Sequence, residues 1–206
     1  MMSHLSINSN RNLVVDTSNL CSLQCSKCMR EYLKQNKRKV PGDNLTVDRF
    51  KKLIKYFDET VTFSGQISDP VMNPHLPTFL KILYEEDILS GVHTAASYRN
   101  LDWYEFAYNS NLNTRWVFGL DGLPNESHIY RKKQDGLKIF EAMKLGASKG
   151  MQIVWQYIVF KYNENHIEES MQLAKDNNIT FELNCSSRWE GADDPLIPSN
   201  KLYIKE

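Results

Sequence analysis

Apolar residues along this chain follow two spacings in turn, one suited to strands and one to helices. Residues 12–16 set Leu13, Val14 and Val15 between polar ends, the pattern of a short buried strand. Residues 46–57 carry Val47, Phe50, Leu53, Ile54 and Phe57 at three- and four-residue steps, an amphipathic helix with Thr46 or Asn44 as cap. The alternation resumes over 59–64 through Thr60, Val61, Thr62 and Phe63, and a second helix over 74–84 turns Leu76, Phe79, Leu80 and Leu83 inward. Beyond it the pattern predicts strands over 89–95, 115–120, 152–160 and 179–184, and helices over 101–108, 137–146 and 167–177. Six strands alternating with five helices require crossovers, and crossovers imply a parallel sheet. The expected class is α/β in a single domain, a (βα)6 partial barrel of TIM type, with an open rotated sheet as the alternative. Residues 30–43 are polar and basic and read as an exposed loop with a helical start. The core is expected over 1–190, and 191–206, holding Pro195 and Pro198 with little periodicity, as a tail at the barrel's mouth or base.

Composition narrows the function. The 206 residues are 41% hydrophobic, ordinary for a globular protein, and Lys plus Arg equals Asp plus Glu at 25 each. No global field recruits nucleic acid or an acidic membrane. No apolar run approaches a membrane span, and 1–12 lacks the features of a signal peptide, so a cytoplasmic location is expected.

Chemistry is concentrated in the loop after the first strand. Cys21, Cys25 and Cys28 place three of the four cysteines within eight residues; Cys185 is far downstream. That is too few cysteines for a disulfide framework and one too few for a local four-cysteine zinc site. Three thiolates at such spacing suit an iron–sulfur cluster with one iron left open. A zinc site borrowing Cys185 or a histidine is the competing reading. His4, His75, His93, His128 and His166 show no ligand spacing.

The C-x3-C-x2-C motif resembles the signature of radical S-adenosylmethionine (AdoMet) enzymes. The resemblance implies a 4Fe-4S cluster on Cys21, Cys25 and Cys28, with AdoMet on the open iron. It also implies reductive cleavage to a 5′-deoxyadenosyl radical, and a reductant such as flavodoxin or ferredoxin. It extends over about 14–186. The segment Phe63-Ser64-Gly65-Gln66-Ile67-Ser68-Asp69-Pro70 is similar to the family's Gly-Gly-Glu-Pro turn, which implies backbone contacts from Gln66 and Ser68 and a carboxylate contact from Asp69 to the cofactor's amino group. Gln, Ile and Ser here replace glycines, and Asp replaces Glu.

Thr94-Ala95-Ala96-Ser97 resembles the family's Thr-Asn-Gly segment, with Ser97 either bonding the cofactor or capping the next helix. Phe118-Gly119-Leu120-Asp121-Gly122 resembles the Phe-Ser-Ile-Asp-Gly segment of the peptide-modifying, SPASM-like subfamily, with Gly119 in place of serine. It makes Asp121 a candidate for ribose or substrate. Arg131, in His128-Ile129-Tyr130-Arg131, is the candidate for the cofactor's carboxylate, since an arginine fork matches a carboxylate. The strand around Val159 and Phe160 resembles the one that receives adenine. Lys27 stands where the family often carries an aromatic residue against adenine.

The subfamily's extra cluster domain has no counterpart here, because only Cys185 remains; it is either a hydrogen-atom or thioether thiol or a small buried residue. A peptide or protein substrate is expected. An RNA- or metabolite-modifying enzyme of the same superfamily is the alternative, and nucleic acid has only Tyr32 with the basic run 34–39 in its favour.

Overall fold

The computed structural model describes residues 12–57 and 59–204. The absence of a signal peptide, expected from residues 1–12, rests on positions almost all outside that range. Six strands, β1 (Asn12–Val15), β2 (Thr60–Ser64), β3 (Leu89–Thr94), β4 (Arg115–Gly119), β5 (Ile153–Val159) and β6 (Thr180–Cys185), form one sheet in sequential order. Every neighbouring pair is parallel, in registers such as Phe63 beside Val92 and Thr94 beside Phe118. A sequential order has no point at which the winding reverses. Right-handed crossovers then lay all the helices on one face, and the sheet curls into a partial barrel rather than an open rotated sheet.

The helices are α1 (Met29–Gln35), α2 (Val47–Leu53), α3 (Leu76–Glu85), α4 (Leu101–Ser110), α5 (Gly136–Ser148) and α6 (Ile167–Asp176). Along the outer layer α2 packs on α3, α3 on α4 and α4 on α5. Five match the sequence pattern. The sixth, α1, is the helical start expected within the polar segment 30–43, and it begins at Met29.

Aromatic clusters fill the space between sheet and helices. Phe50, Phe63 and Phe79 meet with ring centroids 4.5–6.0 Å apart, joining α2, β2 and α3. Tyr104 and Tyr108 of α4 pack on Trp116 and Phe118 of β4, and Tyr157 and Phe181 close around Trp155. Such pairs combine large buried area with favourable tilted geometry. Local signals set the helix starts: Thr46, Asn100 and Asp135 each accept a backbone N–H of the first turn. Of the two expected caps for α2, Thr46 serves, while Asn44 takes the Ser18 hydroxyl at 2.8 Å.

Asn73 is a buried tie that the pattern does not reveal. Its amide donates to Thr17 O (2.6 Å) and Leu45 O (3.1 Å) and its Oδ1 accepts from His75 N (2.8 Å). One side chain thus joins the end of β1, the approach to α2 and the start of α3. Asn73→Ala removes all three bonds, the one to Thr17 O fully buried, and is expected to cost about 1–3 kcal/mol, read as a shift in the urea midpoint.

The chain after β6 runs back across the sheet's carboxyl end. Ser186 bridges Ile204, Lys161 N donates to Leu196 O at 3.0 Å, and Trp189 meets Phe160 edge-on at 6.1 Å. Asp194, whose side chain is buried, accepts from Glu190 N and Leu196 N and pairs with Lys27 at 2.6 Å; Glu190 reaches the same ammonium at 2.9 Å. Lys27, between the second and third cysteines, therefore ties the tail to the cysteine loop.

Candidate active site

Cys21, Cys25 and Cys28 follow β1 at the carboxyl end of the sheet, where the loops of such a barrel gather. Their loop is held at both ends and at its middle. Asp69 N donates to Leu20 O (2.9 Å), Gln24 N to Lys132 O (3.0 Å), and Cys28 opens α1, its carbonyl accepting from Glu31 and Tyr32. Arg30 is buried and reaches back from α1 to donate to Asn19 O (2.5 Å) and Ile67 O (3.1 Å). Its sequence neighbourhood looks like solvated charge, so only the fold exposes this clamp between the cysteine loop and the turn after β2.

All three cysteines are partly buried and line one cavity of about 330 Å³. Burial pushes the Cys21 thiol up to about 12, with Asp69 adding to the shift. Cys25 is pushed up to about 11 by burial, against the pull of Arg131. Metal ligation deprotonates such thiols outright. Among the described residues, no three His, Cys, Asp or Glu side chains converge on a point that holds a single ion. Three thiolates on the wall of one cavity are consistent with a multi-iron cluster, in which each thiolate takes a different iron.

The turn after β2 forms the next wall. Gly65, Gln66, Ser68 and Asp69 line the cavity with the cysteines. A Cβ at Gly65 would stand 2.0 Å from Ser68 O, so only glycine closes this turn. Asp16, at the end of β1, accepts Gln66 N at 2.9 Å and also pairs with the Ser68 hydroxyl. The Asp69 carboxylate takes four donors from the protein itself: Thr94 Oγ1 (2.7 Å), Val71 N (3.1 Å), Ala95 N (2.9 Å) and Ala96 N (2.9 Å). Burial raises its pKa and these four donors oppose the rise. It fixes the β2 turn against the end of β3, with both of its oxygens engaged by donors of the protein.

Arg131 lines the cavity opposite. Its Nε lies 2.7 Å from Asp121 Oδ2, and the carboxylate, fully buried, also accepts Ile158 N at 2.9 Å. Asp121 holds Arg131 protonated, raising its pKa further. Gly119 explains its own presence here. A Cβ would stand 2.6 Å from Arg131 Nη2 and 2.9 Å from Cζ, so the guanidinium occupies space that a serine would fill. Gln134, which the sequence reading missed, donates to Ala95 O (2.7 Å) and Gly119 O (2.9 Å), closing the ends of β3 and β4. His93 completes the wall, its pKa lowered by burial and then by Arg115.

Three expected residues lie elsewhere. Ser97 is not a lining residue and does not cap α4, which Asn100 does. Its hydroxyl accepts Asp135 N at 2.8 Å at the start of α5. Asp121 lies behind Arg131, and the Val159 side chain is in the core. Ser97→Ala is expected to lower stability by about 1 kcal/mol in urea melts.

No protein-family profile matches the chain, and no curated protein matches it by sequence. Solved structures match it by shape. anSMEcpe with bound AdoMet and the Cp18Cys peptide superposes at a TM-score of 0.65 and 13% identity, over 90% of this chain and 54% of that one. Streptococcus suis SuiB bound to precursor peptide SuiA gives 0.66 and 18%, over 84% and 38%. Methylornithine synthase (PylB) gives 0.60 and 16%, over 84% and 52%. This chain has the radical AdoMet core fold. It spans about half the length of anSMEcpe and PylB, and less of SuiB. No helix among the described residues is long and apolar enough to cross a membrane.

Proposed function

We propose that this chain is a radical AdoMet enzyme acting on a peptide or protein. The observation that carries the reading is the single cavity that gathers the three cysteines, the carbonyl-bearing turn 65–68 and Arg131 at the carboxyl end of six parallel strands. Cys21, Cys25 and Cys28 would hold a 4Fe-4S cluster, which supplies one electron to cleave AdoMet and generate a 5′-deoxyadenosyl radical.

The protein's own share is binding, orientation and exclusion of water. An ammonium offers three donors, and the carbonyls of the turn after β2 are the acceptors, with Gln66 and Ser68 contributing backbone and Asp69 and Asp16 bracing the turn. Asp121 contacts the Nε of Arg131, so the terminal nitrogens beside Gly119 remain for the cofactor's carboxylate. Val159 and Phe160 offer backbone at the end of β5 for adenine. Ser97 acts on this site only through the α5 start. Residues 190–204 would serve as a strap joined to the cysteine loop at Lys27, and no residue of that strap lines the cavity. A cavity of that kind suits a peptide, which itself covers it on binding; the peptides bound to anSMEcpe and SuiB are consistent with this. A small iron–sulfur or flavin reductant, such as a ferredoxin or flavodoxin, would deliver the electron.

The test is anaerobic reconstitution with iron and sulfide, reduction in the presence of AdoMet, and measurement of 5′-deoxyadenosine. Product above the protein-free control supports the reading. A reconstituted protein that holds iron, is reduced and yields no 5′-deoxyadenosine overturns it.

A further inference from the structure

A second cavity, of about 400 Å³, opens off the first toward the end of β6. The two share Gly65, Tyr130, Arg131, Gln156 and Arg188, so they form one trough running from the cysteine loop to Asn184 and Cys185. The part beyond the first cavity adds the Asn184 amide and the hydroxyls of Ser186 and Ser187, next to the shared Gln156 amide and the two shared guanidinium groups. No Asp or Glu is among the residues lining it.

The two arginines differ in one respect. Arg131 is neutralised by Asp121. Among the described residues no carboxylate pairs with the Arg188 guanidinium, although its backbone is fixed, its N–H donating to Ser186 Oγ at 3.1 Å. Nearby acids are already engaged, since Glu190 and Asp194 both pair with Lys27. The trough therefore carries one cation without a carboxylate partner where its two parts join, with neutral donors on the β6 side of it. An arginine fork with adjacent amide and hydroxyl donors is the arrangement that receives a planar carboxylate.

We infer that the β6 end of the trough, built by Arg188, Asn184 and Gln156, is a subsite for a carboxylate of the substrate, distinct from the cofactor's carboxylate at Arg131. Resting on the functional reading above, this deepens it: the substrate presents an anion, as an acidic side chain or a free carboxyl terminus, beside the reacting position.

Cys185 supplies a reporter, because its thiol is exposed and lines the same subsite. The rate of iodoacetamide labelling at Cys185, followed by peptide mass spectrometry, should fall at least about threefold with glutarate relative to chloride of equal ionic strength. Glutaramide should give no protection, and Arg188→Gln should abolish the protection by glutarate. Protection equal in chloride, or retained in Arg188→Gln, overturns the subsite. A second arm measures AdoMet affinity of the reconstituted protein. Affinity within about twofold of wild type in Arg188→Gln supports a substrate carboxylate, and a loss of tenfold or more assigns the subsite to the cofactor and overturns the inference. The labelling arm needs no cofactor, so wild-type protein that shows glutarate protection but no AdoMet binding would sink the enzyme reading alone.

Discussion

Cys25→Ala is expected to abolish 5′-deoxyadenosine formation, whereas Cys185→Ala retains it at near the wild-type rate. Cys25 lies between the other two in the loop and lines the cavity with them, while Cys185 ends the sixth strand on the far side of the trough. Losing one of three thiolates leaves a further iron without a protein ligand, and the fourth cysteine, Cys185, does not line the cysteine cavity. The structural cost should be small by comparison. Cys25 is partly buried against the core, so truncation removes one sulfur's packing, about 1 kcal/mol, and the apoprotein should still melt cooperatively. Iron and sulfide content, the brown absorbance of the reconstituted protein and 5′-deoxyadenosine are the three readouts. Product at wild-type levels from Cys25→Ala would remove the cysteine triad from the chemistry. Loss of product in Cys185→Ala as well would draw the β6 end into cofactor cleavage rather than substrate binding.

How much of this was legible beforehand depends on how far each signal reaches along the chain. The strand and helix alternation is written in local spacing, so β1 to β6 and α2 to α6 follow from the order of apolar residues. The cysteine triad is local too. Helix α1 was legible only as a helical start to a loop, because its residues are polar on most faces and leave no apolar stripe to set its length. Asp69 shows the limit at the site: its position before Pro70 marks a turn in the sequence, yet its four donors come from β3 and from its own turn, and only folding brings them together. Ser97 is similar, its partner lying 38 residues away. Arg30 and Arg188 look alike in sequence, two basic residues in polar stretches. One is buried as a clamp and the other faces a trough, a difference that exists only in three dimensions.

Gly119 gives the clearest case of a departure that the fold explains, and it leads to the second large effect. Arg131→Met should cost about 3–5 kcal/mol at neutral pH, because it strands the fully buried Asp121 carboxylate with one backbone donor in place of a counter-cation. The pH dependence separates this cause from mere loss of packing. Burial already raises the Asp121 pKa in the native protein, and Arg131 is the largest influence opposing the rise. Without the arginine the folded-state pKa climbs further above the unfolded value, so the folded protein binds a proton that the unfolded chain does not. Stability of the variant is then lost as pH rises from the unfolded value through the folded one, and regained as pH falls. Urea midpoints at pH 5 and pH 8 should therefore diverge more for Arg131→Met than for wild type, with the variant relatively better at pH 5. In Arg131→Met/Asp121→Asn, where nothing ionises, that divergence should vanish. A loss of equal size at both pH values would mean that removing Arg131 does not change the protonation of Asp121 in the folded state, and the electrostatic account of why Gly119 must make room for Arg131 would fail with it.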